Sequence, residues 1–423
     1  MKLTPLWTEQ FQPDDVVLNN DLPMEAEVAV VGSGYTGLNA AIEMGKAGID
    51  VVVLEQETIG WGASSRNGTM LTPGLKAKQK DIKRWYGAEK QKELWQWSVD
   101  AVNHVTNIIQ EEQIDCDYSI NGMAYLATKP SHAEMVRSYG EFLDKEFGYK
   151  STQWIPADQI EQEIGSKVFY GALIDNLGSR LQPAKYVGGL AKAAQNYGVK
   201  LVNYSRVEKI TRLPGKFTLN TGKGILQAKK ILLATGGYTT NLVPKVKQGI
   251  FPVGSYIIVT EPLPESLQKE LSPKNRVFYD SKIFLNYFCL TPDGRMMLGG
   301  RANLSPNLDL QKSSKLLHDR LVEIFPQLSE IPITHSWTGK LGISFDQMPH
   351  IGNLDGIYYA YGYSGHGISI GSYLGKEVGE LISGKKKSSV FMEIHHPKYI
   401  FASLSPMYLP FVSTYFKIKD QLS

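Results

Sequence analysis

Residues 28–37 read Val-Ala-Val-Val-Gly-Ser-Gly-Tyr-Thr-Gly, and residues 49–55 read Ile-Asp-Val-Val-Val-Leu-Glu. The apolar run Val28–Val31 predicts a short buried strand, and 38–48 (LNAAIEMGKAG) a helix packed on it. Ile49 to Leu54 predicts a second strand that delivers Glu55, 18 residues beyond Gly37. A GxGxxG turn between such a strand and helix, answered by an acidic residue at the end of the next strand, is the dinucleotide-binding βαβ pattern. Gly32 permits the tight turn, Gly34 lets backbone approach a pyrophosphate, and Gly37 lets helix and strand pack closely. Tyr35 and Thr36 open the helix, whose free N–H groups and partial positive charge favour phosphate. Glu55, followed by Gln56, is placed to accept hydrogen bonds from ribose hydroxyls.

Working outward, 423 residues with 42% hydrophobic content allow two or three domains. A formal charge of +3 gives no global field toward nucleic acid. The densest basic stretch, Lys76, Lys78, Lys80, Lys83 and Arg84, reads as a solvated helix face continuing to Glu89 and Glu93. Cys116 and Cys289 form no redox pair or disulfide framework, and the histidines and cysteines show no metal-ligand spacing. The N-terminus lacks the apolar core of a signal peptide, so a cytoplasmic protein is expected. The uncharged segment Tyr399 to Phe416 contains Pro406 and Pro410, which oppose a spanning helix. It reads as docking on the protein's own surface, with membrane or subunit contact as the alternative. Oligomeric state is not encoded in any recognisable pattern.

Further along, a polar arm runs to about Met24, and 57–75 reads as a long functional loop. Helix is predicted over 76–113, with Trp85, Trp95 and Trp97 in the core, and over 131–146, 183–197, 312–325 and 367–383. Strands are predicted at 118–128, 199–203, 206–211, 229–235, 256–260, 283–290 and 295–298. The order points to an α/β protein. A discontinuous Rossmann-like domain (25–85, 150–240 and 335–385) would be interrupted by an α+β substrate domain (86–149 and 241–334) on a mixed or antiparallel sheet. Residues 386–423 would form a C-terminal tail.

The loop Gly60-Trp61-Gly62-Ala63-Ser64-Ser65-Arg66-Asn67-Gly68-Thr69-Met70 favours FAD over a nicotinamide cofactor. Its short hydroxyls and backbone amides suit the pyrophosphate and ribityl chain of a stretched flavin nucleotide, although Ser64, Ser65 and Asn67 are also ordinary turn residues. ILLATGG (231–237), with Thr235 and Gly236, and GYSGHGI (362–368) add two more glycine-rich turns. No second GxGxxG is present, so electrons are expected to come directly from a bound substrate.

The stretches VVGSGYTGLNAA, VVVLEQETIGWGASSRNGT, ATGGY and YGYSGHGI resemble the D-amino-acid oxidase-like flavoproteins, which include glycine and sarcosine oxidases. GWGASSRNG and the terminal YFKIKDQL are most similar to the γ-glutamylputrescine oxidase branch. The resemblance spans nearly the whole chain. It implies that Gly32, Gly34, Gly37 and Glu55 hold the ADP half. Ser64, Ser65, Arg66 and Asn67 would line the pyrophosphate and ribityl path, with Gly68, Thr69 and Met70 beside the ring. Val207 would present backbone to adenine. Gly365, His366, Gly367 and Ile368 would bring a helix N-terminus to the ring's pyrimidine edge, where reduced flavin carries negative charge.

The chain departs from these relatives at four positions. Gly339 stands where sarcosine oxidases tether flavin through cysteine, which implies noncovalent FAD. Met297 replaces a lysine that assists their reaction with oxygen, which implies slow reoxidation by air. Cys289 replaces the arginine of the branch's YFRL. Ser369 replaces a lysine that grips substrate carboxylate, so an amine without an adjacent carboxylate is expected unless Arg180, Arg276 or Arg301 supplies the clamp. The expected chemistry is hydride transfer from the carbon beside a neutral amine nitrogen to flavin N5, followed by hydrolysis of the imine. His366 is the titratable candidate for a catalytic role, or a loop residue that shapes the turn. Tyr256, Phe284 and Tyr287 are candidates for the substrate wall or for core packing. The alternatives are oxidation of a hydroxy acid, a dehydrogenase passing electrons from an amino or hydroxy acid to a quinone or partner protein, and a noncatalytic flavin binder.

Overall fold

The computed structural model describes residues 1–301, 304–305, 307–400, 402, 409 and 413. Glu25–Val31 lies at the centre of an eight-stranded sheet, parallel to Val51–Leu54 on one side and to Gly224–Leu233 on the other. Lys200–Val202 extends one flank in parallel; Ile357–Tyr361 extends the other in parallel, followed by antiparallel His350–Leu354. Strands Val207–Leu213 and Lys216–Thr221 form an antiparallel meander against Gly224–Leu233. Neighbours on both flanks of Glu25–Val31 make its carboxyl end a switch point in strand order, where a crevice opens.

The helix Tyr35–Lys46 is almost wholly buried, because Ser372–Ser383 packs along it. Backbone approach there is extreme: a Cβ on Gly375 would stand 2.4 Å from Thr36 O, and one on Gly37 would stand 2.0 Å from Gly32 O. Gly32 takes φ +107°, which makes the turn itself a glycine position. The Thr36 hydroxyl reaches Gly371 O at 2.8 Å, joining the first helix to the last.

The second sheet also has eight strands. Its order is Ile333–Ser344, Ile250–Pro262, Arg295–Gly300, Asn286–Leu290, Val277–Asp280, Met123–Leu126, Gly171–Asp175 and Thr152–Pro156. All pairs are antiparallel except Val277–Asp280 with Met123–Leu126. The fold is therefore α/β, with a Rossmann-like layer and a second layer on a mixed sheet.

Sheet membership draws the domain boundaries differently from the sequence. Thr152–Pro156, Gly171–Asp175 and most of Ile333–Ser344 belong to the second sheet, although 150–240 and 335–385 were assigned to the nucleotide domain. The helix Gln79–Glu111, assigned to the substrate domain from residue 86, packs Leu94, Trp97, Val102 and Val105 into the nucleotide-domain core. Trp85 is exposed rather than core, just before the break at Gly87. The polar arm carries two buried anchors, Leu6 and Trp7. No helix among the described residues is long and apolar enough to cross a membrane. Most of the uncharged tail lies outside the described residues.

Candidate active site

At the carboxyl end of the central strand an elongated cavity of about 420 Å³ begins between Glu55 and Val207 and ends between the two sheets. At its first end Glu55 is buried. Its Oε2 accepts from Ser33 N at 3.0 Å and Ser33 Oγ at 2.7 Å, and its Oε1 accepts from Glu57 N at 3.1 Å. A carboxylate so held is fixed in orientation, with an acceptor site on Oε1 left for a ligand.

Along one wall the loop 57–71 is braced by its own polar groups. Tyr35 N donates to Ser64 Oγ at 3.1 Å, and Tyr35 Oη donates to Ser64 O at 2.6 Å. Asn67 Nδ2 donates to Ala63 O and Ser64 O, and Asn67 Oδ1 accepts from Thr69 N. Two tryptophans clamp the loop from outside: Trp7 Nε1 donates to Asn67 O at 2.9 Å, and Trp337 Nε1 to Arg66 O at 3.0 Å. Arg66 lies 4.3 Å over the Trp61 ring.

Most of the residues expected to hold cofactor line this cavity. They are Gly32, Gly34, Tyr35, Thr36, Glu55, Gln56, Ala63, Ser64, Arg66, Asn67, Gly68, Met70, Val207, Thr235, Gly236, Gly339, Gly365, His366, Gly367 and Ile368. Three do not. Gly37 is spent on helix–strand packing. Ser65 is wholly buried beneath the loop. Thr69, at φ +69°, turns its hydroxyl to Cys289 Sγ, 3.7 Å away.

The second sheet closes the far end. Tyr287 and Ser255 face the cavity, with hydroxyl oxygens 3.0 Å apart. The Tyr287 ring lies against Gly68 so closely that a Cβ there would stand 2.2 Å from it. Tyr256, one residue from Ser255, necessarily points the other way. It is fully buried behind the sheet, where its hydroxyl donates to Ser305 O at 2.9 Å and accepts from Leu308 N at 2.7 Å. Phe284 packs with Val253, Leu304 and Ile343, and its neighbour Leu285 lines the cavity instead. Tyr256 and Phe284 are thus core residues rather than substrate wall.

The turn Gly367–Gly371 is a π-type turn that leads into the last helix. Burial, and then the nearby Lys76, push the His366 imidazole down to about 3, so it is neutral near pH 7. Its Nδ1 is buried without a hydrogen-bond partner among the described residues. Ser369 does not face the cavity; its hydroxyl donates to Thr72 O at 2.9 Å.

Of the three arginines that could replace a carboxylate clamp, Arg180 donates to Leu290 O, and Arg276 pairs with Glu163 at 2.6 Å. Only Arg301 lines the cavity. Lys76 lines it too, which the sequence reading missed by placing this lysine on a solvated helix; the helix begins at Gln79. Met297 is buried with Trp7 and Trp337.

Residues 27–381 match the family model described as FAD dependent oxidoreductase. The chain is 32% identical over 402 residues to the γ-glutamylputrescine oxidoreductase of Escherichia coli K12, covering 94% of this chain and 93% of that one. Glycine oxidase from Geobacillus kaustophilus superposes with a TM-score of 0.74 at 20% identity, covering 87% of this chain and 97% of that one. L-proline dehydrogenase from P. horikoshii gives 0.71 at 23% identity, with coverages of 88% and 96%.

Proposed function

The chain belongs to the DAO family of FAD-dependent oxidoreductases, and from that premise we propose that it oxidises a small primary or secondary amine to an imine. The cofactor fits the residues present. Glu55 is oriented toward the ribose end, the Gly32–Gly37 turn offers a helix N-terminus, and the His366–Ile368 turn brings a second to the other end. When bound, FAD supplies the two-electron acceptor for hydride.

The observation that carries the amine reading is the charge of the far chamber. Glu55 is the one acidic residue lining the cavity among the described residues, and it sits at the opposite end. Among the described residues no carboxylate therefore lines the far chamber to act as a base, and His366 is neutral. The cations Lys76 and Arg301 disfavour an ammonium group and hold a bound amine in its free-base form. A free-base nitrogen lone pair can push hydride off the adjacent carbon without a protein base. The balance is loss of one hydride from carbon and one proton from nitrogen; water then adds to the imine, giving a carbonyl compound and an amine or ammonia.

Gly68, Tyr287 and Leu285 wall this chamber and orient the reacting carbon. The γ-glutamylputrescine oxidoreductase relative supports an amine as substrate. Two buried free cysteines agree with a cytoplasmic enzyme. Anaerobic titration of the yellow holoenzyme with amines, amino acids and hydroxy acids tests the proposal. Bleaching by amines supports it, and bleaching by hydroxy acids alone overturns it.

A further inference from the structure

We propose that Tyr139 and Tyr279 form a neutral hydrogen-bonding subsite at the distal end of the chamber, so that the amine oxidised here carries an uncharged polar group, such as an amide, away from its reacting nitrogen. The inference rests on the amine-oxidation reading above and narrows its substrate class. Tyr279 stands directly opposite Tyr125 on one neighbouring strand and Tyr287 on the other, so the three side chains share one face of the second sheet. Tyr287 lies against Gly68 at the near end of this row, and the Tyr125 and Tyr279 rings stack at 4.7 Å at the other. Tyr139 comes from the helix Pro130–Phe147 and lines the cavity with Tyr279 and Met123.

Neither the Tyr139 nor the Tyr279 hydroxyl makes a hydrogen bond among the described residues, and neither oxygen is sealed in protein. Tyr287 and Tyr149 are engaged, with Ser255 at 3.0 Å and with Asp175 at 2.7 Å. Burial, and then Tyr125 and Tyr139, hold the Tyr279 phenol well above its ordinary range; burial, and then Tyr125 and Asp175, raise that of Tyr139. Both are therefore neutral near pH 7, each with one O–H to donate and lone pairs to accept. Two such groups in an enclosed chamber lose hydrogen bonds to water, a cost that a ligand with both a donor and an acceptor offsets.

The charges around the pair decide against an ionised group. Asp175 and Asp280 act on these tyrosines without lining the cavity, and they accept hydrogen bonds from Tyr149 and from Asn286. A distal ammonium would therefore meet no carboxylate among the described lining residues. A distal carboxylate would be repelled by Asp175, whose charge already raises both phenols. An amide presents N–H and C=O together without charge, which is the complement of two neutral phenols.

The test measures binding apart from turnover. A series of ω-amino amides of increasing chain length is compared with analogues whose amide is replaced by isopropyl or by carboxylate. Each probe carries two methyl groups on the carbon bearing nitrogen, so it has no hydride to lose and binds without reacting. Each is titrated into the oxidised holoenzyme while the flavin absorption band is followed. At the favoured length the amide should bind about tenfold more tightly than its isopropyl analogue. Tyr139→Phe and Tyr279→Phe should each remove about threefold or more of that preference, with the affinities for the isopropyl analogue and for FAD unchanged.

Equal binding of amide and isopropyl analogues by the wild type at every length overturns the proposal, as does binding by none of them, and this comparison stands even if a variant fails to fold. A preference kept in full by both phenylalanine variants also overturns it. Tighter binding of the carboxylate than of the amide would assign the tail to Lys76 and Arg301 and overturn it as well. The two readings fail separately. Bleaching by the unmethylated amines that is indifferent to the amide sinks only the subsite, whereas amide-selective binding without bleaching by any amine sinks only the oxidation.

Discussion

The Ser33 hydroxyl donates to Glu55 Oε2 at 2.7 Å and accepts from Gly60 N at 2.9 Å. One buried oxygen thus joins the glycine turn, the end of the second strand and the start of the loop that lines the cavity. Glu55→Ala should weaken FAD by roughly 1–3 kcal/mol, because an oriented charge-assisted contact to ribose is lost. Equilibrium titration of apoprotein with FAD checks this; an unchanged dissociation constant would show that Glu55 does not hold the ribose. Ser33→Ala should cost stability as well, since it strands the Gly60 N–H.

Gly339 lines the cavity and has no side chain to bond, so the expectation is that FAD is held noncovalently. Acid precipitation should leave yellow colour in the supernatant. Colour retained by the washed pellet would mean a covalent link elsewhere.

Tyr256 and Tyr287 should separate cleanly. Tyr256→Phe removes a hydroxyl that serves Ser305 O and Leu308 N, and should cost about 1–3 kcal/mol in urea unfolding while leaving KM unchanged. Tyr287→Phe should alter KM or the flavin spectrum with little loss of stability. The reverse pattern would mean that the sheet faces are misassigned.

These two tyrosines also show what the sequence could and could not reveal. The βαβ unit was legible because glycine spacing, strand and Glu55 lie within one short stretch. The mixed second sheet was legible as a class, but the face of each strand was not. Tyr256 and Ser255 differ by one position, and in a strand buried on both sides no hydrophobic alternation marks which one faces the cavity. Thr152–Pro156 was missed as a strand because it is short and ends in proline. Ser369 holds the position expected of a substrate contact, yet the π-type turn sends its hydroxyl to Thr72. Lys76 and Arg301 carry no periodic signal: each is a single charge at the end of an element, and only tertiary structure brings them together.

Lys76 sets a pH dependence. The charged groups acting on it are Arg301 and Lys78, His366 beside it is neutral, and burial with those charges brings Lys76 down to about 8. Below that value it is cationic; above it the charge is lost, so the affinity of the chamber for a nonreactive anion such as acetate should be level between about pH 6 and 7 and fall as pH rises through about 8. His366, titrating near about 3, should contribute no step in that range. Band-shift titrations across pH check this. Lys76→Met should abolish the alkaline fall, and a fall that survives in that variant would assign it to another group.

The central claim is that a free-base amine gives up hydride in a chamber without a protein base. Anaerobic mixing of holoenzyme with a small primary amine, and with the same compound deuterated at the carbon bearing nitrogen, tests it most directly. The account predicts flavin bleaching whose rate rises with pH as the amine loses its proton, and which is slowed severalfold by deuterium. A His366→Asn variant should bleach with the same pH dependence. Bleaching that is unaffected by deuterium, absent for every amine, or stripped of its pH dependence in His366→Asn would contradict the account.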